Sequence, residues 1–215
     1  MIHVEKFVFN PVEENTYLLW NEKGHAIIID PGCYFTAEQE TLEKFLKERN
    51  LKPVQLINTH CHLDHVFGIK WVAKTYQLEL FIHPMEEKVL EFAPATGAMW
   101  GLGYDVYKGV FHFLQDCNII NLDDDKLEVI FTPGHSPGSI CFYCREQNFL
   151  IGGDVLFYES IGRTDLPGGN HQQLLNSIQK KLFVLTDETV VYPGHGSETT
   201  IGHEKKYNPF LKGLE

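Results

Sequence analysis

The sequence contains no apolar run of the roughly 20 residues that a membrane-spanning helix needs. Its first ten residues, MIHVEKFVFN, lack the basic and then apolar segments of a signal peptide. Positive charge is also scarce, because 18 Lys and Arg face 29 Asp and Glu, for a formal net charge of −11. This acidity argues against nucleic acid and anionic membranes as partners. We therefore expect a cytoplasmic protein that acts on small molecules.

Cysteine is scarce as well, with five among 215 residues. An odd number at irregular spacing argues against a disulfide framework and fits a reducing compartment. Cys141 and Cys144 form a CxxC pair, which is typical of redox and zinc sites, but no second pair follows. The surrounding run SICFYC predicts a strand, in which residues i and i+3 face opposite sides. We interpret both cysteines as structural.

The length and the apolar fraction of 43% predict one domain over residues 1–215 with a substantial core. Runs such as HAIIID, VQLINTH and KLEVIFTPGH predict strands. The segment TAEQETLEKFLKERN predicts a helix with Thr36 and Gln39 in a capping box, and LLNSIQKKLFVL predicts another that begins near Asn170. Residues 92–113 are rich in glycine and aromatics and predict a lid or substrate wall, or alternatively a packed loop or a dimer surface. This order of elements predicts a sheet-rich α/β sandwich.

The stretch THCHLDH concentrates metal-binding side chains within seven residues. Imidazole and carboxylate are common ligands of zinc and similar metals. His60 and His62 flank Cys61, so in an extended turn they point the same way while the thiol points into the core. Asp64 and His65 lie one turn further along. This spacing allows one loop to serve two neighbouring metal ions.

Four predicted strands each deliver one such side chain at their end. His60 follows LINT, His135 follows FTPG, Asp154 follows FLIGG and His195 follows VVYPG. Active-site residues often collect at the carboxyl ends of strands. Repetition at four strand ends makes a chance arrangement a poor explanation, so we predict a metal site.

The motifs THCHLDH, TPGHSPGS, IGGD and PGH, in this order, resemble the metallo-β-lactamase superfamily over nearly the whole chain. The resemblance implies an αββα sandwich with a dinuclear metal site at one edge. It implies that the first metal ion is bound by His60, His62 and His135, that the second is bound by Asp64, His65 and His195, and that Asp154 bridges the two.

The stretches SIGRTDLPGGN and TTIGHEKKYNPFL resemble short bacterial glyoxalase II-like hydrolases, which implies a thioester substrate such as S-lactoylglutathione. The chain ends at Glu215, without the longer helical region that supplies much of the glutathione pocket in full-length glyoxalase II. Lys205 and Lys206 either replace part of that region or are exposed surface charges. Arg163 either meets a substrate carboxylate or pairs with Asp165. The thiol carrier and the acyl group therefore stay open.

The chemistry that we predict is hydrolysis by a hydroxide that bridges two metal ions. Two ions about 3.5–4 Å apart lower the pKa of a shared water toward neutrality. Asp64 and Asp154 are the candidate catalytic residues, because their carboxylates can orient that water. The chain also lacks the GxSxG motif of serine hydrolases. Zinc is our first choice of metal, and iron and manganese suit the same ligands.

The main alternative is an oxidoreductase, a mononuclear-iron persulfide dioxygenase of the same superfamily that would use only His60, His62 and His135. A lactonase needs the same hydroxide and stays open. The missing signal peptide argues against a secreted β-lactamase, and the acidity argues against a nuclease. A metal-storing module would bind metal without turnover. We expect a monomer or a small homo-oligomer.

Overall fold

The computed structural model describes residues 1–213 of the chain. The chain forms two compact units. The first contains residues 1–114 and 121–125, and the second contains residues 115–120 and the chain from Lys126 onward. The single domain over residues 1–215 stays a prediction. Within the described part of the chain, no helix is long and apolar enough to cross a membrane.

The first unit is built on a six-stranded sheet with strand order β1-β2-β3-β4-β5-β6. The first three strands pair antiparallel, and the later ones pair parallel. Its strands are β1 (Ile2–Phe9), β2 (Glu14–Asn21), β3 (His25–Ile29), β4 (Lys52–Ile57), β5 (Leu80–Ile82) and β6 (Phe111–Phe113). Its helices are α1 (Thr36–Glu48), α2 (Ile69–Tyr76) and α3 (Glu86–Trp100), with a 3-10 turn at Leu63–His65.

Helix α1 occurs where the sequence predicts it, but the predicted capping box is wrong. The residue that precedes the first turn is Phe35, in an extended conformation. The Glu38 side chain accepts hydrogen bonds from the backbone N–H groups of Phe35 at 2.9 Å and Asn10 at 2.7 Å. A carboxylate is better placed here than Thr36 or Gln39, because it satisfies several donors at the positive end of the helix.

Helix α3 is a correction to the sequence analysis, which predicted no regular element over residues 92–113. The helix runs from Glu86 to Trp100 and contains Pro94. Its apolar pattern is irregular because Phe92 and Met99 are exposed. Gly97 is buried, and an added Cβ there would lie 2.6 Å from the backbone oxygen of Leu102. This helix therefore packs closely through a buried glycine. It lacks the periodic apolar stripe from which a helix is predicted in a sequence.

The second unit contains most of a six-stranded sheet with strand order β14-β13-β10-β9-β8-β7. All residues of β9 and β10 are buried, so both faces of this part of the sheet are covered. The strands of this sheet are β7 (Ile119–Leu122), β8 (Asp125–Phe131), β9 (Ile140–Cys144), β10 (Phe149–Gly153), β13 (Val190–Pro193) and β14 (Thr199–Thr200). The remaining elements are the β11 (Leu156–Phe157) and β12 (Ser160–Ile161) hairpin and the helices α4 (His171–Ser177) and α5 (Ile201–Tyr207).

The predicted helix near LLNSIQKKLFVL is confirmed with one difference. Asn170 precedes α4, and its side chain accepts a hydrogen bond from Gln173 N–H at 3.0 Å, as an N-terminal cap does. The chain then widens into a π-helical segment at Ile178–Leu182. The buried Ile178 and Leu182 keep this segment packed against the core of the unit.

All five cysteines are free, as the sequence predicts. Cys117 is exposed, and the other four thiols are buried. Cys141 and Cys144 both lie in strand β9. The structural interpretation of the CxxC pair is therefore consistent with its burial and with the absence of a disulfide in the described chain.

Candidate metal centre

The loop that follows strand β4 carries four of the predicted metal ligands. Asn58 holds this loop closed, because its side-chain amide lies 3.3 Å from the His60 carbonyl and donates to the His65 carbonyl at 2.9 Å. The loop then tightens into the 3-10 turn at Leu63–His65. A single buried amide thus brings the two ends of the histidine motif together.

The imidazole rings of this loop lie next to one another. The ring centroid of His60 is 4.8 Å from that of His62 and 4.1 Å from that of His65. Cys61 between them is buried in the core of the unit, and its N–H donates to Glu86 at 2.7 Å. Burial, with Glu86 nearby, raises the pKa of the Cys61 thiol, which keeps it protonated. The prediction that Cys61 points into the core is confirmed.

Asp30 is the anchor of this loop, although its sequence context, Asp30-Pro31-Gly32, indicates only the end of a strand. It follows β3 and is buried. Its carboxylate accepts the N–H of Thr59 at 2.7 Å and the hydroxyl of Thr59 at 2.5 Å. The same carboxylate lies 3.2 Å from Nδ1 of His65. Potential ligand atoms of Asp30, His60 and His65 lie within 4.8 Å of one another.

These contacts define which ring nitrogens carry hydrogen. A carboxylate only accepts hydrogen bonds, so Nδ1 of His65 donates to Asp30. The Thr59 hydroxyl donates its one hydrogen to Asp30. Its oxygen therefore accepts the hydrogen bond from Nδ1 of His60 at 3.1 Å. In the neutral form of both rings the lone pair then lies on Nε2. This is the arrangement by which proteins prepare histidines as metal ligands.

The second unit contains the other three predicted ligands. His135 follows β8, Asp154 follows β10 and His195 follows β13. Nδ1 of His135 lies 2.8 Å from the backbone oxygen of Arg163, to which it donates, so the neutral ring again has its lone pair on Nε2. Oδ2 of Asp154 lies 3.4 Å from Nε2 of His135 and 3.7 Å from Nε2 of His195. The predicted placement of these residues at strand ends is confirmed.

Gly162 packs directly against two of these residues. A Cβ at this position would lie 1.9 Å from the backbone oxygen of Asp154 and 3.1 Å from Cβ of His135. No other residue fits here without moving the backbone. The short hairpin β11–β12 therefore brings the Arg163 carbonyl to His135 only because a glycine precedes Arg163.

The donor set fits a cation. In the second unit, the lone pair on Nε2 of His135 lies beside a carboxylate oxygen of Asp154, so two hydrogen-bond acceptors lie close together. The first unit contains a similar pair of acceptors, because Nε2 of His65 lies 3.7 Å from Oδ2 of Asp64. Buried acceptors that face each other are unfavourable unless a positive charge lies near both. Imidazole and carboxylate are the ligands of zinc, iron and manganese.

The remaining polar candidates have partners of their own. Arg163 and Asp165 form a two-pronged ion pair with both contacts at 2.7 Å, which lowers the pKa of Asp165 to about 2. Lys205 pairs with Asp187 at 2.6 Å. The predicted pairing of Arg163 with Asp165 is confirmed, and their relation to a substrate stays a prediction.

The metallo-beta-lactamase superfamily model matches residues 9–195 of this chain. The chain belongs to the metallo-β-lactamase superfamily. Members similar over nearly their whole length include the probable metallo-hydrolase YqgX of Bacillus subtilis, 37% identical with 95% of each chain covered. The hydroxyacylglutathione hydrolase GloC of Haemophilus influenzae is 37% identical with 98% of each chain covered.

Solved structures of this superfamily confirm the predicted fold. BLEG-1 B3 metallo-beta-lactamase matches with a TM-score of 0.90 and 37% identity, covering 98% of this chain and all of its own. TTHA1623, solved in a di-iron-bound form, matches with a TM-score of 0.87 and 35% identity, covering 97% of this chain and all of its own. The metallo-β-lactamase fold implies divalent metal ions, which the acceptor-rich histidine and aspartate sets can bind.

Proposed function

We propose that this superfamily member is a thioester hydrolase of glyoxalase II type that depends on two divalent metal ions. The observation that carries the proposal is the contact of Asp154 Oδ2 with the Nε2 atoms of His135 and His195. The likeness to GloC, whose name is hydroxyacylglutathione hydrolase, supports the thioester substrate. Membership of a superfamily of metallo-hydrolases supports an enzyme in the first place.

The proposed ligands keep the assignment that the family resemblance implies, and this assignment stays a proposal. One ion would be held by His60, His62 and His135, the other would be held by Asp64, His65 and His195, and Asp154 would be a ligand of both. We propose zinc in both positions. Iron is the first alternative, because a similar protein was solved in a di-iron-bound form.

Divalent ions in such a site supply Lewis acidity and lower the pKa of water toward neutrality. The protein's own residues supply orientation. The Asp64 and Asp154 carboxylates accept hydrogen bonds from the attacking water, while Asp30 and the Arg163 carbonyl hold the rings of His65 and His135. A thiolate is stable near neutral pH compared with an alkoxide, so a thioester needs little help from an acid to release its thiol.

A panel of substrates tests this proposal on protein purified without added metal and then loaded with zinc. We expect release of free thiol from S-lactoylglutathione or another acyl thioester, and loss of that release in the His62→Ala variant. His62 is half-exposed, so this change should leave the fold intact. Thiol release at the rate of the protein-free reaction contradicts the proposal.

The same protein should be assayed on lactones and, after loading with iron, for oxygen consumption with glutathione persulfide. Faster turnover of lactones would favour the lactonase, and oxygen uptake with one bound iron would favour the persulfide dioxygenase. The cytoplasmic location, the monomer or small homo-oligomer and the lack of nucleic-acid partners stay predictions.

A further inference from the structure

Glu14 is a fully buried carboxyl group that the proposed chemistry does not use. It begins strand β2 and is 0% exposed. Its Oε2 lies 2.9 Å from the hydroxyl of Thr16. Among the described residues, its Oε1 has no hydrogen-bond partner, and it lies 3.7 Å from Nδ1 of His65. Burying a carboxyl oxygen without a hydrogen bond is costly, so this position needs an explanation.

Thr16 and Gly32 pack closely around the Glu14 carboxyl. The Thr16 hydroxyl accepts the N–H of Gly32 at 2.9 Å and also lies 2.9 Å from the Asp30 carbonyl. A Cβ at Gly32 would lie 2.0 Å from Oε2 of Glu14 and 2.6 Å from the backbone oxygen of Asp64. The missing side chain of Gly32 therefore allows its backbone to lie close to both the Glu14 carboxyl and the Asp64 carbonyl of the ligand loop.

A second contact joins the same part of the chain to the ligand loop. The side-chain amide of Asn10 donates to the carbonyls of Gly32 at 3.0 Å and Asp64 at 2.9 Å. Asn10 and Glu14 lie at the two ends of the β1–β2 turn. This turn thus holds the backbone of Asp64 through Asn10 and reaches the ring of His65 through Glu14.

Nδ1 of His65 consequently faces two carboxyl groups, Asp30 at 3.2 Å and Glu14 at 3.7 Å. Asp30 already accepts two hydrogen bonds from Thr59. We infer that Glu14 is a positioning residue that, together with Asp30, fixes the His65 ring so that Nε2 faces a metal ion. This inference rests on the proposed function, because it takes His65 as a metal ligand. Partners of metal-binding histidines typically contribute about 10–100-fold to metal affinity.

Titration of the full-length, metal-free protein with Co²⁺ tests the inference without any substrate. Binding is followed by the visible spectrum of Co²⁺ and by competition with a chelator. Three variants are compared. Glu14→Leu removes both carboxyl oxygens, and Glu14→Gln keeps Oε1 and can donate a hydrogen bond to Thr16. Glu14→Asp shortens the side chain and so moves the carboxyl group away from His65. Glu14→Asp replaces Glu14→Leu if the latter does not fold.

The matched control is Glu204→Leu. Glu204 is also 0% exposed and accepts from the Glu159 N–H at 3.0 Å, from Asn208 at 2.7 Å and from the Thr199 hydroxyl. Its replacement removes an equally buried glutamate that accepts more hydrogen bonds than Glu14 but, among the described residues, has no hydrogen bond or ion pair with the histidine ligands.

We expect two Co²⁺ ions to bind the wild-type protein and one of the two steps to weaken about 10-fold or more in Glu14→Leu or Glu14→Asp. Glu14→Gln should stay within about threefold of wild type, and Glu204→Leu should not change either step. Unchanged binding in Glu14→Leu, or equal weakening in Glu204→Leu, overturns the inference alone. A wild-type protein that binds two ions but hydrolyses no thioester overturns the proposed function alone, and one that binds fewer than two overturns both.

Discussion

Oδ2 of Asp154 lies 3.4 Å from Nε2 of His135, while the other nitrogen of that ring is 2.8 Å from the Arg163 carbonyl. The carbonyl can only accept, so the single hydrogen of a neutral His135 ring lies on the far side of the ring from Asp154. An imidazole lone pair and a carboxylate oxygen thus come together in a buried place. This contact is the strongest sign in the structure that a cation belongs here.

Asp154→Asn should lower metal content and reduce thioester turnover by at least about 100-fold. The amide lacks the negative charge that balances a divalent ion, and without bound metal the site cannot activate water. Elemental analysis and thiol release measure the two effects. Asp116→Asn is the control, since Asp116 pairs with Lys181 on the surface. Equal metal content and equal rates in Asp154→Asn and wild type would show that the bridging assignment is wrong.

Asp30→Asn should weaken metal binding about 10–100-fold, because the amide can present an N–H to His65 in place of a carboxylate oxygen. It should also lower the free energy of unfolding of the metal-free protein by about 2 kcal/mol, since hydrogen bonds to a buried charge are lost. Urea unfolding in the presence of a chelator measures the second effect. Metal affinity at the wild-type value would show that Asp30 does not orient His65.

Gly162→Ala should reduce metal content and turnover at least about tenfold, because second-layer distortions of metal ligands commonly cost that much. The added methyl group would lie 1.9 Å from the Asp154 carbonyl, so the backbone that carries Asp154 or His135 must move. Gly103→Ala is the matched control, since no atom lies within 4 Å of a Cβ there. If the two variants bind metal equally well, the packing of Gly162 is not needed for the site.

The burial of the cysteines predicts their reactivity. In the folded protein an alkylating reagent should modify Cys117 alone, because the other four thiols are buried. Burial raises the pKa of Cys33 and Cys61, which lowers their thiolate content further. Intact-protein mass spectrometry should show one added group before unfolding and five after it. Rapid native modification at Cys61 would contradict its place in the core.

Much of this site can be predicted from the sequence, because most of the proposed metal ligands follow the ends of apolar strands. His60, His135, Asp154 and His195 all obey this rule, although the strands before His60 and His135 end at Ile57 and Phe131, earlier than predicted. Asp30 obeys it too, after β3, but a single aspartate before Pro and Gly also fits an ordinary turn. Its partner His65 is 35 residues away, and no local pattern pairs them.

The parts that sequence did not predict depend on close packing. Helix α3 was missed because Phe92 and Met99 are exposed and Gly97 is buried, the reverse of an amphipathic pattern. Glu14 reads as one polar residue in a turn, although it is fully buried. Its position depends on Thr16 and Gly32, which meet it only in the folded sheet.

The most direct test of the account is an anomalous-scattering map of crystals of the zinc-loaded protein. The account predicts two metal peaks per chain, with the Nε2 atoms of His60 and His135 about 2.0–2.1 Å from one and Nε2 of His65 as close to the other. Asp154 should contact both peaks. A fully loaded crystal with no peak beside Asp154, or with a single peak that leaves Asp64 and His65 without metal, would contradict it.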